Sequence, residues 1–109
     1  VDRTNQNVAA YYRPYHPAVL RAMASIARTA HRHGKPVCVC GEVAHQANYI
    51  PFLIGIGIRR LSMAPQFLPT IQRTIGEIEM SQAQAYAERV LAVSTLSQMD
   101  HIISNLQPI

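Results

Sequence analysis

The sequence predicts an α/β fold with more helix than strand, and three observations predict it. An apolar stripe with helical period lies between a proline and a glycine. A strand–helix–strand succession follows within fewer than about thirty residues, the span of a βαβ unit with parallel strands and a right-handed connection. Two Ser/Thr-x-x-Gln signatures then open further helices near the C-terminus.

Residues 1–15 are polar and tyrosine-rich, and Pro14 and Pro17 break regularity there, so they read as an irregular opening segment. Tyr11, Tyr12 and Tyr15 read as packing residues. From Pro17 to His33, Val19, Leu20, Met23, Ile26, Ala27 and Ala30 keep the 3.6-residue period of an amphipathic helix. Pro17 suits its first position and Gly34 the position just past its end, and His16 reads as an N-cap or an interface residue rather than a catalyst. A buried strand is expected over about 36–41, where a short apolar run lies between Gly34-Lys35-Pro36 and Gly41. A helical stretch over 46–57 ends in Gly55-Ile56-Gly57, which reads as close helix packing. It lacks the third glycine and the preceding strand of a dinucleotide loop.

Arg60-Leu61-Ser62-Met63-Ala64 is the second expected strand, closed by Pro65. A third helix is expected over 67–77 with Leu68, Ile71 and Ile75 on one side. Ser81 with Gln84 and Thr95 with Gln98 fit capping boxes for helices over 82–93 and 96–106. Their apolar stripes are Ala83, Tyr86, Ala87 and Val90, then Leu96, Met99, Ile103 and Leu106.

A chain of 109 residues, 49% hydrophobic and 15% charged, supports one domain and excludes intrinsic disorder. Its longest apolar run, Tyr49 to Ile58, is about half of the ~20 residues that a spanning helix needs, and no charged n-region precedes a signal-like segment. The expected setting is cytoplasmic, with no membrane partner. The formal charge of +4 comes from scattered arginines, with Lys35 the only lysine, and no basic run interleaves with aromatics. A solvated basic surface, with no nucleic-acid partner, is the reading.

Cys38 and Cys40 stand two apart on the first strand, on one face and badly placed for a disulfide. With only His45 nearby they fall short of the four ligands of a zinc site. They are therefore either inert thiols or one reactive thiol beside a spectator. Two strands cannot form an independent parallel sheet covered on both faces. The expectation is a piece of something larger, and the sequence lacks an initiator methionine.

Asp2-Arg3-Thr4-Asn5, His16-Pro17-Ala18-Val19-Leu20-Arg21, Gly34-Lys35, Cys40-Gly41-Glu42-Val43-Ala44 and Leu61-Ser62-Met63-Ala64-Pro65 occur in this order. Together, from Val1 to about Leu106, the chain resembles the end of the phosphoenolpyruvate-binding domain of enzyme I, the phosphoenolpyruvate–protein phosphotransferase of the bacterial phosphotransferase system. The sugar-type and nitrogen-regulatory paralogues fit about equally. Phosphoenolpyruvate synthase or pyruvate phosphate dikinase is the related alternative, and a non-catalytic dimerisation module is the non-enzyme rival.

The resemblance implies the last quarter of a (β/α)₈ barrel, two parallel strands with about five helices, in one segment spanning 1–109. It implies that phosphate passes from phosphoenolpyruvate to a histidine in another domain, leaving pyruvate, for relay to the phosphocarrier protein HPr or its paralogue. On that basis the isolated chain is expected to be inactive, and a homodimer is expected. Magnesium would be held by carboxylates preceding Val1, so neither Asp2 nor Glu42 takes that role, and none of His16, His31, His33, His45 and His101 is the phosphate acceptor.

Arg3 matches the arginine that grips the substrate phosphate, a bidentate task suited to guanidinium. Cys40 matches the cysteine that hands a proton to C3 of the enolate; a thiol of pKa about 8.5 is protonated at neutral pH. Gly41 and Glu42 are candidates for supporting that loop. Cys38 stands where the family usually has glycine and reads as a small core-facing residue. The chain departs from the family pattern at His45-Gln46, in place of Gly-Asp, and at Ala64, in place of serine.

Overall fold

A computed structural model describes residues 4–9 and 15–104. The chain builds α1 (Pro17–Arg32), β1 (Cys38–Val39), α2 (Ile50–Gly55), β2 (Arg60–Leu61), α3 (Leu68–Gly76), α4 (Met80–Leu91) and α5 (Leu96–Ser104). Short 3₁₀ turns occupy Glu42–His45, Ala47–Tyr49 and Pro65–Phe67. It is a helix-rich α/β arrangement with two parallel strands paired Cys38 to Arg60 and Val39 to Leu61.

Local chemistry fixes α1 at both ends. His16 Nδ1 accepts from the Ala18 N–H at 3.0 Å, and Pro17 starts the helix with its φ already set. At the other end Gly34 takes φ +63°, and the Lys35 and Gly34 N–H groups donate to the Ala30 and His31 carbonyls at 2.8 and 3.1 Å. That is a Schellman closure with glycine in the left-handed position. The helix buries Leu20, Ala24 and Ala27, with Met23 and Ala30 half-covered. Val19 and Ile26, expected on the same stripe, are 45% and 59% exposed. The apolar stripe is thus wider than the surface that meets it.

Both strands are shorter than expected, Cys38–Val39 and Arg60–Leu61 against the expected 36–41 and 60–64. The expected helix over 46–57 begins only at Ile50. Pro51 sits in its first turn, where its missing N–H does no harm, and the residues before it form 3₁₀ turns instead.

The core lies between α2, α4 and the adjoining turns. Tyr49, Ile50, Phe52, Leu53, Ile71, Val90 and Met99 are each at most 2% exposed. A Cβ on Gly55 would strike the Ala83 carbonyl oxygen and lie 2.8 Å from the Ala87 Cβ. Only glycine lets α2 come this close to α4, whereas Gly57, the second glycine of the pair, meets nothing within 4 Å and takes φ +100°.

Helix α4 buries Ala83, Tyr86, Ala87 and Val90, the expected stripe. Its start differs from expectation: Glu79 is the N-cap, and the Ser81 hydroxyl, already inside the helix, donates to Glu79 Oε1 at 2.9 Å. Ser81 therefore caps nothing. The second signature holds: the Gln98 N–H donates to Thr95 Oγ1 and the Ser94 N–H to Gln98 Oε1, both at 3.2 Å. On α5 Met99 is buried as expected, whereas the side chains of Leu96 and Ile103, and all of Leu106, lie outside what is described. Arg21 reaches the Val93 carbonyl at 3.1 Å and ties α1 to the end of α4.

Candidate functional site

Parallel pairing brings the segments that leave β1 and β2 out at the same end of the sheet. The Ser62 N–H donates to the Val39 carbonyl at 2.9 Å, so the register continues one step past the strands and sets Cys40 level with Ser62. Alternation along each strand then sorts the side chains. Val37, Val39, Leu61 and Met63 are half-buried against the core, while Cys38, Cys40, Arg60, Ser62 and Ala64 are exposed on the opposite face.

This corrects one expectation. Cys38 does not face the core; it shares the open face with Cys40, as residues two apart on a strand must. Both thiols are free, and the Cys38 Sγ lies 3.9 Å from the Val39 carbonyl oxygen.

Immediately after Cys40 the chain turns at Gly41, whose φ of +83° is a conformation that only glycine adopts without strain. Glu42 then opens the 3₁₀ turn that ends at His45. Ala44, fully buried, anchors this turn in the core, and its N–H donates to the Gly41 carbonyl at 3.2 Å. Glu42 is half-buried beside the thiol-bearing loop.

Two aromatic contacts hold the loop from either side. The His45 ring stacks on Phe67, which lies in the turn following β2, with centroids 3.8 Å apart and planes 5° from parallel. Farther along, the Tyr15 hydroxyl donates to Gln46 Oε1 at 3.1 Å and accepts from Asn48 Nδ2 at 3.0 Å. The Tyr15 ring stacks on Tyr49 with centroids 4.7 Å apart. The packing role read for Tyr15 thus takes a definite form, and His45 and Gln46, which depart from the family pattern, carry contacts that hold the loop. Nothing in the sequence alone pairs a histidine with a phenylalanine 22 positions away.

Near this loop system the Tyr86 hydroxyl is buried with no hydrogen-bond partner among the described residues. Burial pushes its pKa up to about 12, with Arg89 pulling it down and Tyr15 adding to the rise. Among the described residues no group of three or more His, Cys, Asp or Glu side chains could hold a metal ion. No helix among them is long and apolar enough to cross a membrane. Asp2 and Arg3, together with Tyr11 and Tyr12, lie outside the described residues.

The chain is 34% identical over 98 residues to the phosphoenolpyruvate-protein phosphotransferase of Bacillus subtilis, covering 90% of this chain and 17% of that protein. It is 36% identical over 104 residues to a phosphoenolpyruvate-dependent phosphotransferase system protein of Salmonella typhimurium, covering 95% and 14%. Against multiphosphoryl transfer protein 1 of Escherichia coli the figures are 29% over 108 residues, 99% and 13%. The chain therefore spans 13% to 17% of the length of these relatives. The profile of the family described as PEP-utilising enzyme, PEP-binding domain, matches residues 1–80, which include both strands and every turn just described. With most of its length inside that profile, the chain belongs to the PEP-utilising enzyme, PEP-binding domain, family.

Proposed function

We propose that residues 1–109 form the C-terminal segment of the phosphoenolpyruvate-binding domain of an enzyme I-type phosphoenolpyruvate–protein phosphotransferase. The observation that carries this reading is the placement of Cys40-Gly41-Glu42 at the C-terminal end of a parallel strand, level with the end of its neighbour. In a (β/α)₈ barrel that is the catalytic face. The open face of the two strands suits the last quarter of such a barrel, whose remaining strands would complete the sheet.

The roles follow from chemistry. Arg3 grips the phosphate of phosphoenolpyruvate and stabilises charge on the phosphoryl group as its P–O bond breaks. The phosphoryl group passes to a histidine nitrogen elsewhere in the full-length protein, and from there to a phosphocarrier protein such as HPr. The enolate left behind takes a proton at C3 from the Cys40 thiol, giving pyruvate and a thiolate that solvent reprotonates. Gly41 supplies the turn that presents the thiol, and Glu42 borders it. On the family resemblance, magnesium would be held by carboxylates preceding Val1 and would help to neutralise charge on the phosphoryl group. A cytoplasmic homodimer, serving sugar uptake or nitrogen regulation, belongs to the same reading.

The test is made in the full-length protein with C3-labelled phosphoenolpyruvate in deuterated water. Cys40→Ala is expected to keep transferring phosphate while losing the stereospecificity of C3 protonation, and Cys40→Ser to resemble it. Arg3→Ala is expected to slow phosphorylation of the acceptor, with partial recovery in Arg3→Lys. Wild-type rate and full stereospecificity in Cys40→Ala would show that the thiol is only a packing group.

A further inference from the structure

We propose that Cys38 and Cys40 form a two-thiolate site for a soft monovalent metal ion, Cu(I), on the open face of the sheet. The site itself rests on strand geometry and donor chemistry. Its effect on catalysis rests on the reading of Cys40 as the proton donor.

Both thiols are free, both are exposed, and alternation puts them on one face of β1 and its continuation. The Ser62 N–H bond to the Val39 carbonyl at 2.9 Å keeps the residue between them on the ladder, so the sheet sets their spacing. Side chains two apart on a strand stand about 6.6 Å from each other, at a rise of about 3.3 Å per residue. A disulfide wants the Cβ atoms within about 4.5 Å, so the pair is held too wide for one. Two metal–sulfur bonds of about 2.3 Å, laid end to end, span about 4.6 Å. Sulfurs leaning towards each other close the gap that far without moving the backbone. The spacing that rejects a disulfide thus admits an ion bound in line between two sulfurs.

The donors select the ion. Thiolate is a soft ligand and favours Cu(I) over magnesium, calcium or manganese. Zinc asks for four ligands, and among the described residues no group of three or more His, Cys, Asp or Glu side chains is assembled. Cu(I) is content with two. Binding needs no oxidant: two copper–sulfur bonds form, two S–H bonds break, and both protons leave to solvent. The resulting unit carries one negative charge. Arg60 is paired with Cys38 in the register and exposed on the same face, so a positive charge stands beside it. The sulfurs give up little, since the approach of Cys38 Sγ to the Val39 carbonyl oxygen at 3.9 Å is a weak bond.

In the proposed barrel this face lines the interior, with Cys40 at the catalytic mouth and Cys38 two residues deeper. An ion seated on both sulfurs leaves Cys40 without the proton it would deliver. Cu(I) then blocks C3 protonation and spares phosphoryl transfer.

The test uses the full-length protein under anaerobic conditions, titrated with Cu(I) against the chromogenic chelator bathocuproine disulfonate. Wild type should take up one more Cu(I) per chain than Cys38→Ala or Cys40→Ala. Loss of either sulfur removes the advantage of the second, tethered ligand and should weaken the site about a hundredfold or more. Without copper, Cys38→Ala should form pyruvate at the wild-type rate. With one equivalent of Cu(I) it should keep the stereospecificity of C3 protonation that wild type loses. Equal copper uptake by wild type and Cys38→Ala would overturn the site. If both variants lose the ion while copper leaves wild-type stereospecificity intact, the two-thiolate site stands and the reading of Cys40 as proton donor falls.

Discussion

The seam between α2 and α4 and the open face of the β1–β2 pair show what the same short chain does with a partner and without one. Along the seam, Gly55 lets two helices meet almost backbone to backbone, and Ala83 and Ala87 across from it are buried. On the strands, half of each pleat is covered and the other half, Cys38, Cys40, Arg60 and Ser62, faces outward. The same division recurs on the helices. Ile71 is buried, yet Leu68 and Ile75 on the same helix are 43% and 41% exposed, and together with Leu53, Leu61 and Met63 they line an apolar groove. The difference teaches where local packing seals a face and where the described residues leave one open.

Substitutions can break or sharpen that contrast. The largest effect is expected from Phe52→Ala in the sealed region, a loss of about 4 kcal/mol in chemical denaturation as transfer and cavity terms add. Next comes Gly55→Ala, which must push α4 away and should cost about 2–3 kcal/mol by the same measurement. A loss below about 1 kcal/mol there would mean that the seam is looser than it looks.

Tyr86→Phe should act through pH. The folded state holds the Tyr86 proton up to about 12, above the ordinary value of 10.0. Folding gains nothing from this below pH 10, and stability falls as pH rises from 10 towards 12, because the unfolded chain releases that proton first. The phenylalanine variant should show a shallower loss across that window and no loss of stability at pH 7, since the hydroxyl it removes has no partner among the described residues. The smallest effects belong to the open side. Ile26→Ser and Leu68→Ser should each change the stability of the chain by less than about 0.5 kcal/mol. A larger loss in the full-length protein would show that these faces are covered there.

Helix α1 was legible because its signals are local: a cap at His16, a proline at the first position and a glycine after the last. The Thr95 cap and the Gly55 contact were legible for related reasons, each being written in a few adjacent residues. Burial was harder to read. Cys38 reads as core-facing from the glycine it replaces in the family pattern, but a residue's size does not say which face of a strand is covered, and that depends on helices far along the chain. Ser81 misled because Glu79 closes the helix N-terminus two residues earlier, by backbone geometry that leaves no sequence box. At the candidate site, Cys40, Gly41 and Glu42 could be picked out as a motif. The stack of His45 on Phe67 could not, since nothing in either residue announces a partner 22 positions away.

The seating of α4 on α2 separates two kinds of border. The family profile ends at residue 80, the first residue of α4. The profile match, unlike the similarity to the relatives, which runs over 90% to 99% of the chain, stops where one wall of the core begins. A gene trimmed at that point would encode every residue of the candidate site within the profile and still expose the floor on which the site rests. Ala83, Tyr86, Ala87 and Val90 would be gone, and Arg21 would lose the Val93 carbonyl it holds. Anyone excising this segment for transplantation into another protein should therefore place the cut by packing, beyond α5, and let the profile boundary go.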